Sequence, residues 1–166
     1  MVHQQSICFT LMDSPIGEIL LAATKKGVCW ISFETGERRL ITLQQWSKRW
    51  LLCDNVMEKS TSILDDATAQ MDEYFKVQRK SFDLPIDIYG TAFQRLVWEQ
   101  LISIPYGEIR TYKDVAVSLG ASKAVRAVGG ANNKNPLSII VPCHRVIGSN
   151  GALVGYGGGL HIKDRK

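Results

Sequence analysis

The sequence lacks several features that would assign it to a specialised class of protein. Its 166 residues include no apolar run near the roughly 18 residues of a membrane span. The first residues, 1–5, show neither the basic start nor the apolar stretch of a secretory signal. The four cysteines contain no C-x-x-C pair, and His3, Cys8 and Cys29 lack a fourth zinc ligand. We therefore expect a cytoplasmic protein (nuclear in a eukaryote) with reduced thiols, no metal and no cofactor.

The composition is that of a folded protein, with 45% hydrophobic and 22% charged residues, and it excludes a disordered or collagen-like chain. The net charge of +4 is unevenly distributed. Residues 1–82 hold 10 Lys and Arg against 10 acids, whereas residues 83–166 hold 10 against 6. Such an excess suits a polyanionic partner, although a solvated basic face would have the same composition.

The N-terminal half predicts a small sheet covered by a helix. Alternating apolar residues indicate strands over residues 6–12, 18–24 and 28–33, separated by turn residues. Three short strands need a helix to bury one face, and helical spacing predicts one. The apolar residues of that helix are Leu64, Ala67, Met71, Tyr74 and Phe75. Pro85 interrupts the pattern, so we predict two domains, 1–85 and 86–166.

The C-terminal half predicts a helix, then a helix, tight turn and helix. Thr91 with Gln94, and Thr111 with Asp114, form capping-box patterns, and Gly120 closes the second helix. We expect Ser122 to cap a third helix that runs to about residue 131. In a helix-turn-helix the last helix lies in a DNA groove. An ordinary helical hairpin remains the alternative.

The third predicted helix consists mostly of small residues. Gly129 and Gly130 cost it roughly 1 kcal/mol each relative to alanine. Either a sugar-phosphate wall or another element of the protein must approach this surface closely. Arg126 is its one long outward side chain, which suggests an arginine inserted into DNA.

The apolar run 137–141 predicts a buried strand or strand-like segment that ends just before the motif of residues 142–145, which contains Cys143 and His144. A cysteine beside a histidine and an arginine, followed by the glycine-rich segment 155–159, suggests a reactive thiol. An inert buried cysteine is the other interpretation, and we apply it to Cys8, Cys29 and Cys53.

These segments resemble the O6-alkylguanine-DNA alkyltransferases, also called methylated-DNA–protein-cysteine methyltransferases. The acceptor-cysteine signature of that family corresponds to residues 140–148, IVPCHRVIG. Other similar stretches follow the family's order: GTAFQ at 90–94, VW at 97–98, IPYGE at 104–108, TY at 111–112, RAVG at 126–129 and NP at 135–136. The resemblance extends from about residue 71 to residue 163. The first 70 residues match the family's N-terminal domain only in layout.

The resemblance implies an α+β fold, in which a sheet-and-helix domain precedes a mostly helical, winged-helix-like domain. It implies a monomeric repair enzyme that flips O6-alkylguanine, and conceivably O4-alkylthymine, out of duplex DNA and transfers the alkyl group irreversibly to its own cysteine. The implied catalytic residues are Cys143, His144, Asn135, Tyr112 and Lys163, and the implied base pocket is Val146, Tyr156 and Gly157. The implied minor-groove contacts are Arg126, Thr111, Ala127, Gly129 and Lys123.

The sequence departs from the family pattern after Lys163. A family glutamate that orients the active-site histidine would lie beyond the last residue, and Asp164 does not match its position. On this ground we expect impaired transfer with retained DNA binding. Two other functions stay open: a lesion sensor without transfer activity, which Cys143 argues against, and a helix-turn-helix regulator, which leaves the 142–145 motif without a purpose.

Overall fold

The computed structural model describes residues 6–53 and 55–148. The chain divides into two compact units, Met1–Tyr89 and Gly90–Lys166. The first unit contains a sheet with two helices, and the second is mostly helical. The predicted α+β class, with a sheet domain followed by a helical domain, is confirmed.

A four-stranded sheet organises the N-terminal unit. The strands β1 (Ile7–Met12), β2 (Ile19–Ala23) and β3 (Val28–Ser32) pair antiparallel, as the alternating pattern predicted. A fourth strand, β4 (Val56–Glu58), pairs parallel with β1 and completes the order β3-β2-β1-β4. The sequence analysis missed β4 because a three-residue strand carries no measurable alternation.

Two helices bury the sheet of this unit. Leu43 of α1 (Arg38–Leu51) packs with the alternate strand residues Phe9 and Leu20. The helix that the sequence predicted in this unit is α2 (Ser62–Phe75), and it contacts β1, β2 and β3. Side chains alternate between the two faces of a sheet along a strand, so the other buried residues of β2 point to the opposite face of the sheet. The buried residues of α2 cover that face. Each fully buried Leu or Ile contributes roughly 1.5–3 kcal/mol.

The last residues of the N-terminal unit are hydrogen-bonded to residues in and next to β2 and β3. The Val28 N–H donates to the Pro85 carbonyl at 2.9 Å, and the Asp87 N–H donates to the Val28 carbonyl at 2.9 Å. The carboxylate of Asp87 accepts hydrogen bonds from the hydroxyls of Thr24, at 2.6 Å, and Tyr89, at 2.7 Å. These contacts extend the unit to Tyr89.

Within residues 90–148, the C-terminal unit contains three helices and a pair of short strands. The helices are α3 (Ala92–Ile102), α4 (Tyr112–Ser118) and α5 (Val125–Asn133). The strand β5 (Arg110–Thr111) pairs parallel with β6 (Val146–Ile147), which follows a 3₁₀ turn at Cys143–Arg145. No helix in the described part of the chain is both long and apolar enough to cross a membrane.

The helix ends follow the predicted capping chemistry with one exception. Both capping boxes are formed: Thr91 with Gln94 caps α3, and Thr111 with Asp114 caps α4. The prediction that Ser122 caps the third helix is wrong. That helix begins three residues later, after Ala124, and has no side-chain cap. The intervening residues instead form a turn, in which the Ala124 N–H donates to the Ala121 carbonyl at 2.8 Å.

Two helices end in the same hydrogen-bond pattern with different residues at the left-handed position. After α4, Gly120 has φ +71°, and the Ala121 N–H donates to the Ala116 carbonyl at 2.9 Å. After α2, Val77 has φ 60°, and the Gln78 N–H donates to the Glu73 carbonyl at 2.8 Å. Glycine adopts this conformation without strain, whereas the β-branched valine does not. Val77 is also 68% exposed, so its side chain contributes little burial.

We therefore predict that Val77→Gly raises the free energy of unfolding by about 0.5–1 kcal/mol, since the relief of backbone strain exceeds the added chain entropy. Urea denaturation followed by circular dichroism measures the change. The matched control, Gly120→Ala, should destabilise by about 1 kcal/mol, because it introduces the strain that Val77→Gly removes. Equal midpoints for Val77→Gly and the parent chain would contradict the prediction.

Candidate active site

The segment before Cys143 is a tight turn, and the predicted buried strand over 137–141 is wrong. The Val141 N–H donates to the Leu137 carbonyl at 2.8 Å, which folds the segment back on itself. Ile139 at its centre has φ 80°, a left-handed conformation that costs a β-branched residue about 1–3 kcal/mol. All five side chains are nevertheless buried or half-buried, as the apolar composition predicted.

The side chain of Asn135 holds this turn at both ends. Its Nδ2 donates to the Val141 carbonyl at 2.7 Å, and its Oδ1 accepts from the Leu137 N–H at 2.9 Å. Leu137 and Val141 are both fully buried, so water cannot easily replace either hydrogen bond. Asparagine is suited to this position because its amide carries a donor and an acceptor together.

Cys143 and His144 lie in the 3₁₀ turn that follows. The Cys143 N–H donates to the Val141 carbonyl at 2.8 Å, and the Arg145 N–H donates to the Pro142 carbonyl at 3.0 Å. Cys143 is 2% exposed and His144 is 5% exposed. On a strand the two side chains would point to opposite faces, whereas a 3₁₀ turn separates successive side chains by about a third of a rotation. The thiol is thus fixed in position and shielded from bulk water.

The pairing of β5 with β6 brings the start of α4 beside this turn. Thr111 lies opposite Ile147, and Arg110 lies opposite Val146. Thr111 is also the N-cap of α4, so the first helical residue, Tyr112, follows the strand directly. Tyr112 is 7% exposed.

Tyr112 lies close to Cys143 and Asn132. Burial raises the pKa of Tyr112, and a negative charge on Cys143 would raise it further. The nearby side-chain amide of Asn132, on α5, lowers the pKa and offsets part of these effects, although neither polar atom of that amide has a hydrogen-bond partner within the described residues. The site therefore combines a thiol, a phenol and an amide, which are a nucleophile, a weak acid and a hydrogen-bonding group.

Arg145 connects the 3₁₀ turn to the segment after α3. Its Nη1 donates to the Ile104 carbonyl at 2.7 Å, and its guanidinium carbon lies 5.6 Å from the centre of the Tyr106 ring. The sequence analysis considered Arg145 as a neighbour that could activate the thiol, and it did not anticipate this anchoring contact.

The exposed face of α5 consists mostly of small residues with one arginine. Arg126, Ala127, Gly130 and Asn133 are exposed, Gly129 is half-buried, and Lys123, just before the helix, is also exposed. A Cβ atom added at Gly129 or Gly130 would meet no other atom within 4 Å. Close packing against another element, one of the two explanations for these glycines, is therefore not found within the described residues.

The buried face of α5 is fixed by α3. The Trp98 Nε1 donates to the Ala131 carbonyl at 2.9 Å, and Trp98 is 2% exposed. Gly90 is required beside it, because a Cβ atom there would lie 2.4 Å from the Trp98 ring. This contact sets the position of the next residue, Asn132.

The remaining residues of the predicted site lie outside the described part of the chain: Tyr156, Gly157 and Lys163. Among the described residues, no group of three or more His, Cys, Asp or Glu could hold a metal ion. The sequence analysis missed Asn132. The available signal was a polar residue in line with the apolar positions Val128 and Ala131 of α5, all three of which are buried.

Comparison with known proteins finds two family models that together match nearly the whole chain. Residues 7–88 match the ribonuclease-like domain of 6-O-methylguanine DNA methyltransferase, and residues 92–166 match its DNA-binding domain. A methylated-DNA–protein-cysteine methyltransferase of Methanosarcina barkeri is 45% identical over 156 residues, which are 94% of this chain and 92% of that protein. The constitutive protein of that name in Bacillus subtilis is 43% identical over 150 residues, 90% of this chain and 86% of that protein.

Solved structures are also similar. The O6-methylguanine methyltransferase of Mycobacterium tuberculosis aligns with a TM-score of 0.80 and 37% identity, covering 96% of this chain and 89% of that one. The structure of the Mycobacterium tuberculosis OGT in complex with DNA aligns with a TM-score of 0.77 and 37% identity, covering 95% and 88%.

We predict that Asn135→Ala lowers the free energy of unfolding by about 2 kcal/mol, because it leaves the Leu137 N–H and the Val141 carbonyl without their partner. Denaturation curves measure the loss. The control is Asn133→Ala, at the exposed last residue of α5, where we expect the free energy of unfolding to change by no more than about 0.5 kcal/mol. Similar values for both variants would show that the turn does not depend on the Asn135 amide.

Proposed function

The chain belongs to the methylated-DNA–protein-cysteine methyltransferase family, which reverses DNA alkylation by transfer to a cysteine, and we propose that Cys143 is the acceptor in this chain. The observation that carries the proposal is the buried Cys143 thiol, fixed in a 3₁₀ turn beside Tyr112. Cys29 differs from Cys143 in this respect: burial, together with the negative charge of nearby Asp87, raises the pKa of the Cys29 thiol and keeps it protonated.

The proposed reaction is a displacement at the alkyl carbon of O6-alkylguanine. The Cys143 sulfur forms a bond to that carbon, and the bond from the carbon to O6 of the guanine breaks. The thiol proton passes to His144 as general base, and a proton is delivered to the leaving guanine, so the products are an S-alkylcysteine and an unmodified guanine. A thioether does not hydrolyse under these conditions, so one molecule repairs one lesion.

Three further groups have roles in this reaction. Tyr112 assists the departure of guanine by hydrogen bonding to the base. Asn135 keeps the turn before the nucleophile in place through its two hydrogen bonds. The backbone carbonyl of Val146, in the strand directly after the turn, accepts a hydrogen bond from the edge of the base. All of these groups belong to one unit of one chain, so a monomer suffices.

Burial of the thiol sets a condition on the substrate. With Cys143 only 2% exposed, the alkyl carbon of a base inside a duplex cannot reach the sulfur. The damaged nucleotide must leave the stack, at a cost of a few kcal/mol that is smaller for a mispaired or damaged base. Selection of the lesion therefore begins before the chemistry.

The surface of α5 suits duplex DNA from which a nucleotide has been extruded. Its small residues, the exposed Ala127 and Gly130 and the half-buried Gly129, let the helix approach a narrow minor groove. Arg126 occupies the space that the extruded nucleotide leaves, and Lys123 and the half-buried Thr111 contact phosphates. Contacts to the backbone carry no sequence information, which fits a protein that must search any sequence for damage.

We predict that incubation with duplex DNA containing one O6-methylguanine adds the mass of one methylene group to the intact protein, at most once per molecule. Intact-protein mass spectrometry measures the gain. Cys143→Ser should show no gain because a hydroxyl is a far weaker nucleophile than a thiolate. The matched control is Cys53→Ser, which removes a different buried cysteine and should keep the gain.

Three results would contradict this assignment. A mass gain that persists in Cys143→Ser would identify another acceptor. No gain in the parent chain, together with preferential binding of the lesion duplex in a competition assay, would identify a lesion sensor. Binding of one preferred undamaged sequence without any gain would identify a regulator.

We predict opposite effects of Gly130→Leu on stability and on DNA binding. The fold should gain about 0.8–1 kcal/mol, because leucine is a better helix former and its Cβ atom meets nothing in the protein. Affinity for duplex DNA should fall at least tenfold, because the side chain holds the groove away from the helix. Fluorescence anisotropy and denaturation measure the two effects. The control is Gln44→Leu, which adds a leucine at an exposed position of α1 and should leave the DNA affinity unchanged. Unchanged DNA affinity in Gly130→Leu would exclude the exposed face of α5 as the DNA surface.

A further inference from the structure

Arg145 is the last residue of the 3₁₀ turn that contains Cys143, and its side chain reaches the segment after α3. Its Nη1 donates to the Ile104 carbonyl at 2.7 Å, a contact between residues 41 positions apart in the chain. A charged donor makes a stronger hydrogen bond to a carbonyl than a neutral donor does. This contact therefore ties the reactive turn to the end of α3.

The ring of Tyr106 holds the same guanidinium from a second side. The guanidinium carbon lies over the ring, 5.6 Å from its centre, within the range of attraction between a cation and an aromatic face. Ile104 and Tyr106 both belong to the short connection between α3 and β5, so one segment supplies both contacts. A planar guanidinium can donate hydrogen bonds from its edge while its face lies against a ring, and this combination is specific to arginine.

The acceptor of the Arg145 hydrogen bond is itself well fixed. Ile104 is 4% exposed, and its N–H donates to the carbonyl of Leu101, a fully buried residue of α3, at 3.1 Å. The same helix carries Trp98, whose Nε1 donates to the Ala131 carbonyl of α5. The Ile104 carbonyl thus belongs to the packed core of the C-terminal unit, and the turn is held against a rigid support.

The backbone hydrogen bonds of the turn fix its shape and not its place. The Cys143 N–H donates to the Val141 carbonyl at 2.8 Å, and the Arg145 N–H donates to the Pro142 carbonyl at 3.0 Å. Both bonds run within one short segment, so they would survive if that segment moved as a unit. The pairing of β5 with β6 holds the chain from Val146 onward. Arg145 adds a directed bond from the turn itself to the end of α3.

We propose that Arg145 is a positioning residue for alkyl transfer: its guanidinium, bonded to the Ile104 carbonyl and lying over the Tyr106 ring, holds the turn where the Cys143 sulfur can reach the alkyl carbon. Displacement requires the sulfur to lie close to that carbon and in line with the breaking carbon–oxygen bond, so a small shift of the turn slows the reaction greatly. This inference rests on the proposed function, because it concerns the same reaction. Arg145 acts through the turn and does not touch the reacting atoms.

Two substitutions of Arg145 in the full chain test this role. Arg145→Met keeps a long unbranched side chain and removes the donors and the charge, whereas Arg145→Lys keeps a charged donor. The rate constant and the amplitude of methyl transfer are measured in single turnover at saturating O6-methylguanine duplex, and the dissociation constant of that duplex is measured separately. We expect Arg145→Met to lower the rate constant about tenfold or more, with full amplitude and with the dissociation constant changed less than about twofold. Arg145→Lys should restore the rate constant to within roughly threefold of the parent value.

The amplitude distinguishes positioning from a merely structural role. A variant that had only lost stability would contain fewer folded molecules, so its amplitude would fall while the folded molecules reacted at the parental rate. The matched control is Arg95→Met, which removes an exposed arginine of α3 and should keep the parental rate constant.

A double-mutant cycle tests the contribution of the ring. We expect Tyr106→Leu to slow transfer roughly threefold in the parent background and to cause no further slowing in the Arg145→Met background, because its effect passes through the guanidinium. Equal slowing in both backgrounds would overturn the proposed part of Tyr106.

Two other outcomes would overturn the proposal as a whole. They are a parental rate constant in Arg145→Met, and a fall in its amplitude alone. If Arg145→Met does not fold, as judged by circular dichroism, Tyr106→Leu decides, and a parental rate constant in that variant would overturn the proposal. Absence of transfer in the parent chain would refute the proposed function and this inference with it, whereas parental transfer by a folded Arg145→Met would refute this inference alone.

Discussion

The side chain of Asn135 replaces, within one short turn, the hydrogen bonds that a helix or a strand would otherwise supply. Residues 137–141 are buried apart from the half-buried Ile140, so water can satisfy little of their backbone, yet the left-handed Ile139 prevents regular structure. A single amide that donates to Val141 and accepts from Leu137 makes this conformation stable. Cys143 follows two residues later and inherits its position from that turn, because its own N–H donates to the Val141 carbonyl.

The other fixed point of the site is the end of β5. Two residues of parallel pairing are a small contact, but one of them, Thr111, is also the N-cap of α4. The strand therefore determines where the helix begins, and the capping box with Asp114 holds it there. Hydrogen bonds from Thr111 lower the pKa of Asp114, so this carboxylate stays charged, and its contribution is lost only as the pH falls toward the acid range. Tyr112, the first residue of that helix, thereby lies near the thiol.

Much of this arrangement could be predicted from the sequence, because it depends on local chemistry. The capping boxes of α3 and α4 and the glycine after α4 are contained within a few consecutive residues, and the structure has all three. The segment 137–141 was misassigned because its β-branched, apolar residues are equally typical of a buried strand, and only Asn135, which precedes it, reverses its direction. The predicted cap at Ser122 was wrong for a similar reason. The residues after Gly120 fit a helix that begins directly after Ser122, and they also fit a further turn before the helix, which is what the structure has. The spacing of Leu40, Leu43 and Trp46 is typical of a helix, but the sequence analysis did not assign α1. The proximity of Asn132 to Tyr112 depends on tertiary packing, and no local pattern encodes it.

The distribution of stability within the C-terminal unit follows from these observations. Glycines of α5 weaken the helix that we propose to approach DNA, and their open surroundings mean that the fold gains nothing from them. The buried face compensates: Trp98 bonds to the helix backbone, and Gly90 provides the space for its ring. The anchoring of Arg145 on the Ile104 carbonyl does the same for the reactive turn. Under the proposed function, each surface that DNA reaches is thus supported from behind by a contact that the substrate does not touch, while the packing of α3 maintains the fold.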